Sequence, residues 1–380
     1  MVSPNRLMAS GIFITGMARS GTTLLCRLTG GVSETTAFSQ PLPLLLVQAM
    51  RDFLSFAGIA DDRLDYPITD EQFGHAFNHA QFERFVQDHQ ISREQAGQAL
   101  NEMKGYSGQK FKPSDPMAAL DDWPGGNLAQ FVRHYLHFHT AADCRYFTWK
   151  EAIAEAFLPH LLAADYRAIL IVRDPRDVAA SLMSPASLPF TGDPRPLLWI
   201  VRHWRKSVAY LHEYAADDRV FILRYEDLVA DPDGMMTSIA AWIGTEVPKN
   251  SSIDDLLRGW TGNSSQGPVT GISNQLSGRH KTELSGDQRQ LIEALCVSEM
   301  AALSYANETT LAGSQDIIAN SVLLESGTSR PELSYFNFDD RRREEELTRL
   351  KMLQSTTEAS QSSLFIYNSN LAALRRALGV

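Results

Sequence analysis

The stretch Gly16-Met17-Ala18-Arg19-Ser20-Gly21-Thr22-Thr23 sets two glycines, one arginine and three hydroxyls between a short apolar run and a helical pattern. Residues of these types bind anions. A strand that turns on glycines into a helix N-terminus presents unpaired backbone N–H groups and a positive dipole end. The glycine spacing is that of a nucleotide phosphate loop, G-x4-G, but the lysine that normally follows is missing. Thr22 stands in its place, and the positive charge has moved inside the loop to Arg19. Such a cradle suits an anion other than ATP with magnesium.

A second segment repeats the theme. Ala168-Ile169-Leu170-Ile171-Val172 is a continuous apolar run, short enough for a buried parallel strand. It ends in Arg173-Asp174-Pro175-Arg176-Asp177-Val178, with Ser181 on the helix that follows. Where a metal-dependent nucleotide enzyme would place an aspartate, the first residue off this strand is Arg173, which binds an anion and repels a metal. Two basic anion sites with no evident metal carboxylate point to a nucleotide phosphorylated at both ends.

At these residues the chain resembles the sulfotransferases that use 3′-phosphoadenosine 5′-phosphosulfate (PAPS). Arg19-Ser20-Gly21-Thr22-Thr23 is similar to that family's 5′-phosphosulfate loop, and Arg173 with Ser181, in the frame R-D-P-R-D-V-x-x-S, to its 3′-phosphate site. The similarity continues at Arg224-Tyr225-Glu226-Asp227-Leu228 and Gly278-Arg279-His280-Lys281, and ends near Tyr305. The resemblance implies that Arg19, Ser20, Gly21, Thr22, Thr23, Arg173, Ser181, Tyr225, Arg279 and Lys281 bind PAPS and its product adenosine 3′,5′-bisphosphate, without a metal. It also implies a transition-state role for Arg19 and for Lys150. Lys150 opens Lys150-Glu151-Ala152 where the family carries K-x-P, so the proline is absent here.

These groups need a scaffold. Strand-like runs at 11–15, 145–149, 168–172 and 219–223 alternate with helical patterns, and each is followed at once by Arg19, Lys150, Arg173 or Tyr225. Open α/β sheets bind ligands beyond the carboxyl ends of their strands. The expected fold is therefore α/β: a three-layer P-loop-like arrangement with a central parallel sheet, a helical insertion and a C-terminal helical tail. The expected division is a sulfotransferase domain over 1–305, with an acceptor-side helical insertion at 51–140, then a linker and helical extension over 306–380. Within the insertion, Gln81–Met103 reads as amphipathic helix, and Asn127 as the N-cap of a helix Leu128–Thr140. Ser184–Pro196, rich in proline and small residues, is a second segment suited to acceptor specificity. Asn307–Arg330 reads as loop or linker. Asp339 onward begins a helix with i,i+4 pairs Arg341–Glu345 and Arg342–Glu346. The leucines at 350, 353, 364, 371, 374 and 378 allow a docked tail or a homo-oligomer contact, but the polar stretch Ser355–Ser363 rules against a sustained coiled coil.

Composition narrows the class. The 380 residues carry a net charge of −10, which argues against nucleic acid as a partner, since backbone binding needs a basic face. No apolar run approaches the roughly 18 residues of a membrane span, and no signal-peptide core is evident. Cys26, Cys144 and Cys296 are an odd, scattered set more like free thiols than a disulfide framework. The chain reads as a soluble cytoplasmic protein.

The acceptor's base is the open question. In many relatives a glutamate follows the loop and takes the acceptor's proton; in this sequence that position is Gln40, which orients by hydrogen bonds but accepts no proton at neutral pH. A base must then come from elsewhere, with histidines of the insertion (His75, His79, His89, His134, His137, His139) as candidates. The favoured reading is sulfuryl transfer from PAPS to a small-molecule acceptor, a hydroxyl ahead of an amine or guanidine nitrogen of a natural product. The alternatives are a nucleotide-dependent phosphotransferase and a catalytically silent relative that only binds.

Overall fold

Five strands run in the order β2-β5-β1-β6-β7 through the centre of the chain. They are β1 (Ser10–Thr15), β2 (Thr35–Ser39), β5 (Tyr146–Lys150), β6 (Arg167–Val172) and β7 (Val220–Arg224); β3 (Gln90–Ile91) and β4 (Gly126–Asn127) form a separate two-stranded ribbon. In this computed structural model the described residues are 8–58, 79–103, 111–184, 195–248, 252–258, 272, 277–321, 333, 336–355 and 364–380. The pairings β1–β5, β1–β6 and β2–β5 are all parallel. The expected central parallel sheet of an α/β fold is what forms. β1 and β6 are buried along nearly their whole length, as strands covered on both faces must be. The sheet also holds a strand that the apolar runs do not reveal. β2, Thr-Thr-Ala-Phe-Ser, has only one large apolar residue, Phe38, and is held by its register with β5, Thr35↔Tyr146 through Ser39↔Lys150.

The described residues divide into two compact units. The first draws on 1–67, 78–171 and 217–273, and the second on 172–216 and 274–380. In the first, the helix α1 (Thr22–Thr29) packs over the sheet through Leu24, Leu25 and Leu28 in a core with Ile12, Ile14, Ile169 and Ile171. Helix α2 (Pro43–Phe56) starts on a proline at its first position, where a missing N–H costs nothing. Within the insertion, 81–103 is not one helix. Residues His79–Asp88 and Arg93–Met103 are separate helices, broken where Gln90 and Ile91 pair with Asn127 and Gly126. Ser92 and Gln95 then cap the second helix reciprocally, at 3.1 and 3.0 Å. Asn127 does cap α3 (Leu128–His139): its carboxamide accepts from Gln130 N–H at 3.1 Å.

In the second unit, α4 (Pro175–Met183) follows directly from the end of β6, and α5 (Leu197–Glu213) is buried from Leu197 to Leu211. The remaining helices there include α6 (His280–Glu283), α7 (Leu311–Asn320), α8 (Asp340–Gln354) and α9 (Asn368–Leu378). Helix α7 lies inside 307–330, which reads as linker from composition: Thr310 caps it, and Ser314 and Ile318 are fully buried. Residues 322–332 lie outside the described residues, as do 185–194 of the Ser184–Pro196 segment. Asp339 caps α8 as expected, and Arg341 pairs with Glu345 at 3.2 Å. Arg342, however, pairs with Glu345 at 2.7 Å and not with Glu346. Glu346 turns inward to the guanidinium groups of Arg202 and Arg205 on α5, at 2.8 and 2.6 Å, while Arg349 pairs with the buried Glu299. The tail leucines Leu350, Leu353, Leu371 and Leu374 are buried within this unit, so the near-heptad spacing serves internal packing. No described helix is long and apolar enough to cross a membrane.

Candidate active site

β1 stops at Thr15, and the chain bends through Gly16–Gly21 before α1 begins. Ser20 N–H bonds to Met17 C=O at 3.1 Å, closing the loop on itself. Two positions explain the glycines. A Cβ on Gly16 would run into the carbonyl of Ile171, and Gly21 sits at φ 94 with the ring of Tyr225 against it. Arg19 also holds a left-handed backbone, φ 70, which an arginine adopts only where the surroundings enforce it. Gly21 offers α1 no side-chain cap, and the first turn carries no acidic residue. Its N–H groups and dipole therefore face forward unneutralised. Inside the loop the Ser20 hydroxyl is fully buried and has no hydrogen-bond partner among the described residues. An orphaned hydroxyl in a cradle of backbone donors fits an anion.

Thr22 is buried and Thr23 half-buried on the first turn of α1. Tyr225, 4% exposed, opens the helix that follows β7, and its ring covers Gly21. The first unit thus brings the loop residues and Tyr225 together. Lys150 is the last residue of β5, also buried at 3% exposure. Its carbonyl accepts the Gln40 N–H at 2.9 Å, because β2 and β5 stay in register up to Ser39↔Lys150. Gln40 itself turns at φ 50, redirecting the chain from β2 into α2. Glu34 lies in the turn before β2 and pairs with Arg145 on the exposed side, away from the carboxyl end of the sheet.

Next to Lys150 stands a residue the motif comparison passes over. Glu151 is 3% exposed, and its Oε1 accepts the Leu42 N–H at 3.0 Å. Burial pushes its carboxyl up to about 8, while the Leu42 N–H and the Lys150 charge pull the other way. Burial also raises the Cys26 thiol on α1 to about 12, and the opposing influences of Lys150 and Glu151 on it place all three groups in one neighbourhood. The signal available in the sequence was a second charged residue directly after Lys150, one position before the alanine that replaces the family's proline.

In the second unit, Arg173 is 5% exposed and Ser181 1%. The carbonyl of Arg173 accepts the Trp204 indole N–H at 2.7 Å, which fixes the backbone at this point. Asp174 caps α4 through Arg176 N–H and also forks onto the Arg176 guanidinium, whose other edge reaches Glu293 at 2.6 Å. Arg176 is structural. Asp177 is the hub. It lies 3.8 Å from the Arg173 guanidinium and accepts from Gly278 N–H at 2.7 Å, His280 N–H at 3.0 Å and His280 Nδ1 at 2.7 Å. It therefore joins Gly278–Lys281 to the Arg173 motif within the same unit. Arg279 is buried and donates both arms of its guanidinium to Glu283, each at 2.7 Å; Lys281 is exposed on α6. Asp177 is legible only as the second aspartate of R-D-P-R-D-V, one helical turn after Arg173.

The histidines of the insertion have other employment. His137 accepts the Ala9 N–H at 3.1 Å, and His134 bonds to the Ala119 carbonyl at 2.6 Å. His89 pairs with Asp52 at 3.0 Å. His139 packs edge-on against Phe111 and Tyr135, and burial lowers its pKa. His75 and the side chain of His79 lie outside the described residues.

The family model described as the sulfotransferase family matches residues 11–249. A search of curated proteins finds no match. Among solved structures, the sulfotransferase domain from the curacin biosynthetic pathway is 18% identical, covers 80% of this chain and 99% of its own, and superposes with a TM-score of 0.45. The sulfotransferase domain from the Synechococcus PCC 7002 olefin synthase is 20% identical, with 77% and 97% coverage and a TM-score of 0.41. Retinol dehydratase in complex with retinol and PAP is 13% identical, with 77% and 82% coverage and a TM-score of 0.35. The family assignment rests on the match over 11–249, which spans well over half of the chain and contains the loop, Lys150, Arg173 and Tyr225 alike: this protein belongs to the sulfotransferase family.

Proposed function

We propose that the protein transfers the sulfuryl group of PAPS to a small-molecule acceptor, a hydroxyl in preference to an amine or guanidine nitrogen. The observation that carries the proposal is the loop Gly16–Gly21: a glycine-turned cradle at an uncapped helix N-terminus, with the buried Ser20 hydroxyl unpartnered among the described residues. In a member of this family, that cradle supports binding of the 5′-phosphosulfate by Arg19, the backbone N–H groups of Ser20 and Gly21, and the Thr22 and Thr23 hydroxyls. Tyr225 would meet the nucleoside, and Arg173 with Ser181 would take the 3′-phosphate, joined by Arg279 and Lys281.

The transfer itself breaks the bond between sulfur and the bridging oxygen while an acceptor oxygen or nitrogen attacks in line. Protein groups supply position and positive charge for such a reaction. Arg19 and Lys150 are the cations assigned to the sulfuryl oxygens and the departing phosphate, where negative charge grows. Gln40 is assigned to orient the acceptor through its carboxamide. Release of adenosine 3′,5′-bisphosphate completes the cycle.

The test is ligand stabilisation. A ligand that binds only the folded state adds about 2.7 kcal/mol at a hundred times its Kd, visible as a rise in Tm. Adenosine 3′,5′-bisphosphate is expected to give this rise, and adenosine 5′-phosphate a smaller one. Equal stabilisation by ATP with Mg²⁺, or no loss on removing the 3′-phosphate, overturns the proposal.

A further inference from the structure

The backbone from Ser39 to Pro43 makes an unusual passage. β2 ends paired to Lys150, Gln40 turns at φ 50, and α2 begins two residues after Pro41. Leu42, at the N-cap of α2, has no side chain able to cap it. The cap comes from elsewhere in the sequence: Glu151 Oε1 takes the Leu42 N–H at 3.0 Å, across 109 residues. One residue earlier, at the end of β5, the Lys150 carbonyl takes the Gln40 N–H at 2.9 Å. The last residue of β5 and the residue after it thus clamp the turn that carries Gln40. The Glu151 backbone is fixed in its own right, since its N–H donates to Ile14 C=O at 3.1 Å.

We propose that Glu151 is a positioning residue of the acceptor side, holding the Gln40–Leu42 turn against the end of β5 so that Gln40 and Lys150 are set together. This rests on the roles assigned above to Gln40 and Lys150. Nothing in the reaction passes through Glu151 itself; it acts on those two residues through the backbone. A mere helix cap would need only an acceptor near Leu42. Here the acceptor belongs to the residue adjoining Lys150, so losing it releases the turn from the strand end that carries the lysine.

Burial disfavours the charged form of this carboxyl. Burial raises it to about 8, against the pull of the Leu42 N–H and Lys150; Cys26 on α1 is the other titratable group beside it. The carbonyl oxygen of a neutral carboxyl accepts the Leu42 N–H as a carboxamide would. The linkage sign follows. A carboxyl whose pKa is raised when the turn is closed favours closure fully below its ordinary pKa. That contribution fades as pH rises from about 4.5 to about 8.

Glu151→Gln keeps a neutral acceptor, and Glu151→Met keeps the volume without one. Amide hydrogen exchange over residues 39–46, corrected for intrinsic pH dependence, reads the turn directly. Glu151→Met is expected to speed exchange there at least tenfold, while Glu151→Gln restores protection to within about threefold. Wild-type protection should fall with rising pH across the window above, and that of Glu151→Gln should stay flat. Adenosine 3′,5′-bisphosphate affinity, measured by calorimetry, is expected to change less than twofold in both variants. If the wild type fails to bind the bisphosphate, the sulfotransfer reading fails, but the exchange comparison still decides whether Glu151 clamps the turn. Unchanged exchange in Glu151→Met, no rescue by Glu151→Gln, or a pH slope that persists in Glu151→Gln overturns the proposal.

Discussion

Asp177→Ala should be the most informative single change in the second unit. One carboxylate, 1% exposed, accepts from Gly278 N–H, His280 N–H and His280 Nδ1, at 2.7, 3.0 and 2.7 Å. Hydrogen bonds to a charged group contribute about 1.5–3 kcal/mol each, and they are not additive on one acceptor. Gly278 is only half-buried and sits at φ 81, so part of the segment can relax to water. A net loss of about 2–4 kcal/mol in unfolding free energy is expected at pH 7. Burial works to raise the Asp177 carboxyl, but the His280 ring and backbone N–H, Arg173 and the Gly278 N–H outweigh it, leaving it below the ordinary range. A depressed carboxyl contributes stability that is present above its unfolded pKa of about 4 and lost as pH falls through the folded value. The gap between wild type and variant should therefore narrow in acid. Urea denaturation at pH 7 and at successively lower pH, with adenosine 3′,5′-bisphosphate calorimetry in parallel, reads both effects. Bisphosphate affinity should drop about tenfold or more, because Arg279 and Lys281 lose their anchor to the Arg173 motif. Unfolding energies within about 0.5 kcal/mol of wild type at pH 7 would refute the hub, as would a gap that does not change with pH.

Two further changes separate binding, chemistry and support. Arg173→Ala should weaken bisphosphate binding by about 1.5–3 kcal/mol, whereas Lys150→Ala should leave it nearly intact and lower kcat, since its contact strengthens as charge develops. Equal losses of affinity with unchanged turnover in both variants would refute the assigned roles. Glu346→Ala removes the buried carboxylate that Arg202 and Arg205 share, leaving Glu345 to Arg202 and the Leu295 carbonyl to Arg205, and should cost about 3–5 kcal/mol of stability by urea denaturation. Burial opposes the Glu346 charge, but Arg205, Arg202 and Arg349 hold its carboxyl well below the usual range, so that support should vanish only in strong acid.

How much of this was legible in the sequence depended on the range of the interaction. β1 and β6 showed as continuous apolar runs because strands buried on both faces tolerate little else. β2 did not, since its place comes from register with β5, and register is a property of the partner. The Asn127 capping box was visible because it is local, three residues from donor to acceptor. The break at Gln90–Ile91 was hidden because pairing with Gly126–Asn127 overrides a helical pattern. Arg342–Glu346 met the i,i+4 rule and lost, since two buried arginines on α5 offered Glu346 a stronger partner than a surface pair can. The residues expected to bind the anion could be picked out by type and spacing, but Asp177 and Glu151, which anchor the segments beside them, act across about a hundred residues and leave no spacing to read.

The same contrast bears on the missing base. Three of the histidines expected to replace the carboxylate absent at Gln40 have polar partners, His137 at the Ala9 N–H, His134 at the Ala119 carbonyl and His89 at Asp52, while the buried Nε2 of His139 has none among the described residues. Taking a proton at Nδ1 would cost His137 its bond from the Ala9 N–H. Yet the family's carboxylate has not simply been lost from this neighbourhood. Glu151 puts a carboxyl behind the turn that carries Gln40, buried and mostly protonated at neutral pH. A carboxyl there positions the turn through the Leu42 N–H. The division of labour we propose is orientation by Gln40, charge from Arg19 and Lys150, and an acceptor whose own proton is lost late or to water. A hydroxyl, neutral before attack and acidic after it, meets that demand, whereas an amine or guanidine must first shed the proton it carries at neutral pH. Gln40→Glu tests the point: if the site works by orientation alone, a restored carboxylate next to Lys150 should lower turnover through the added charge, and a large gain would show that a base had been wanting after all.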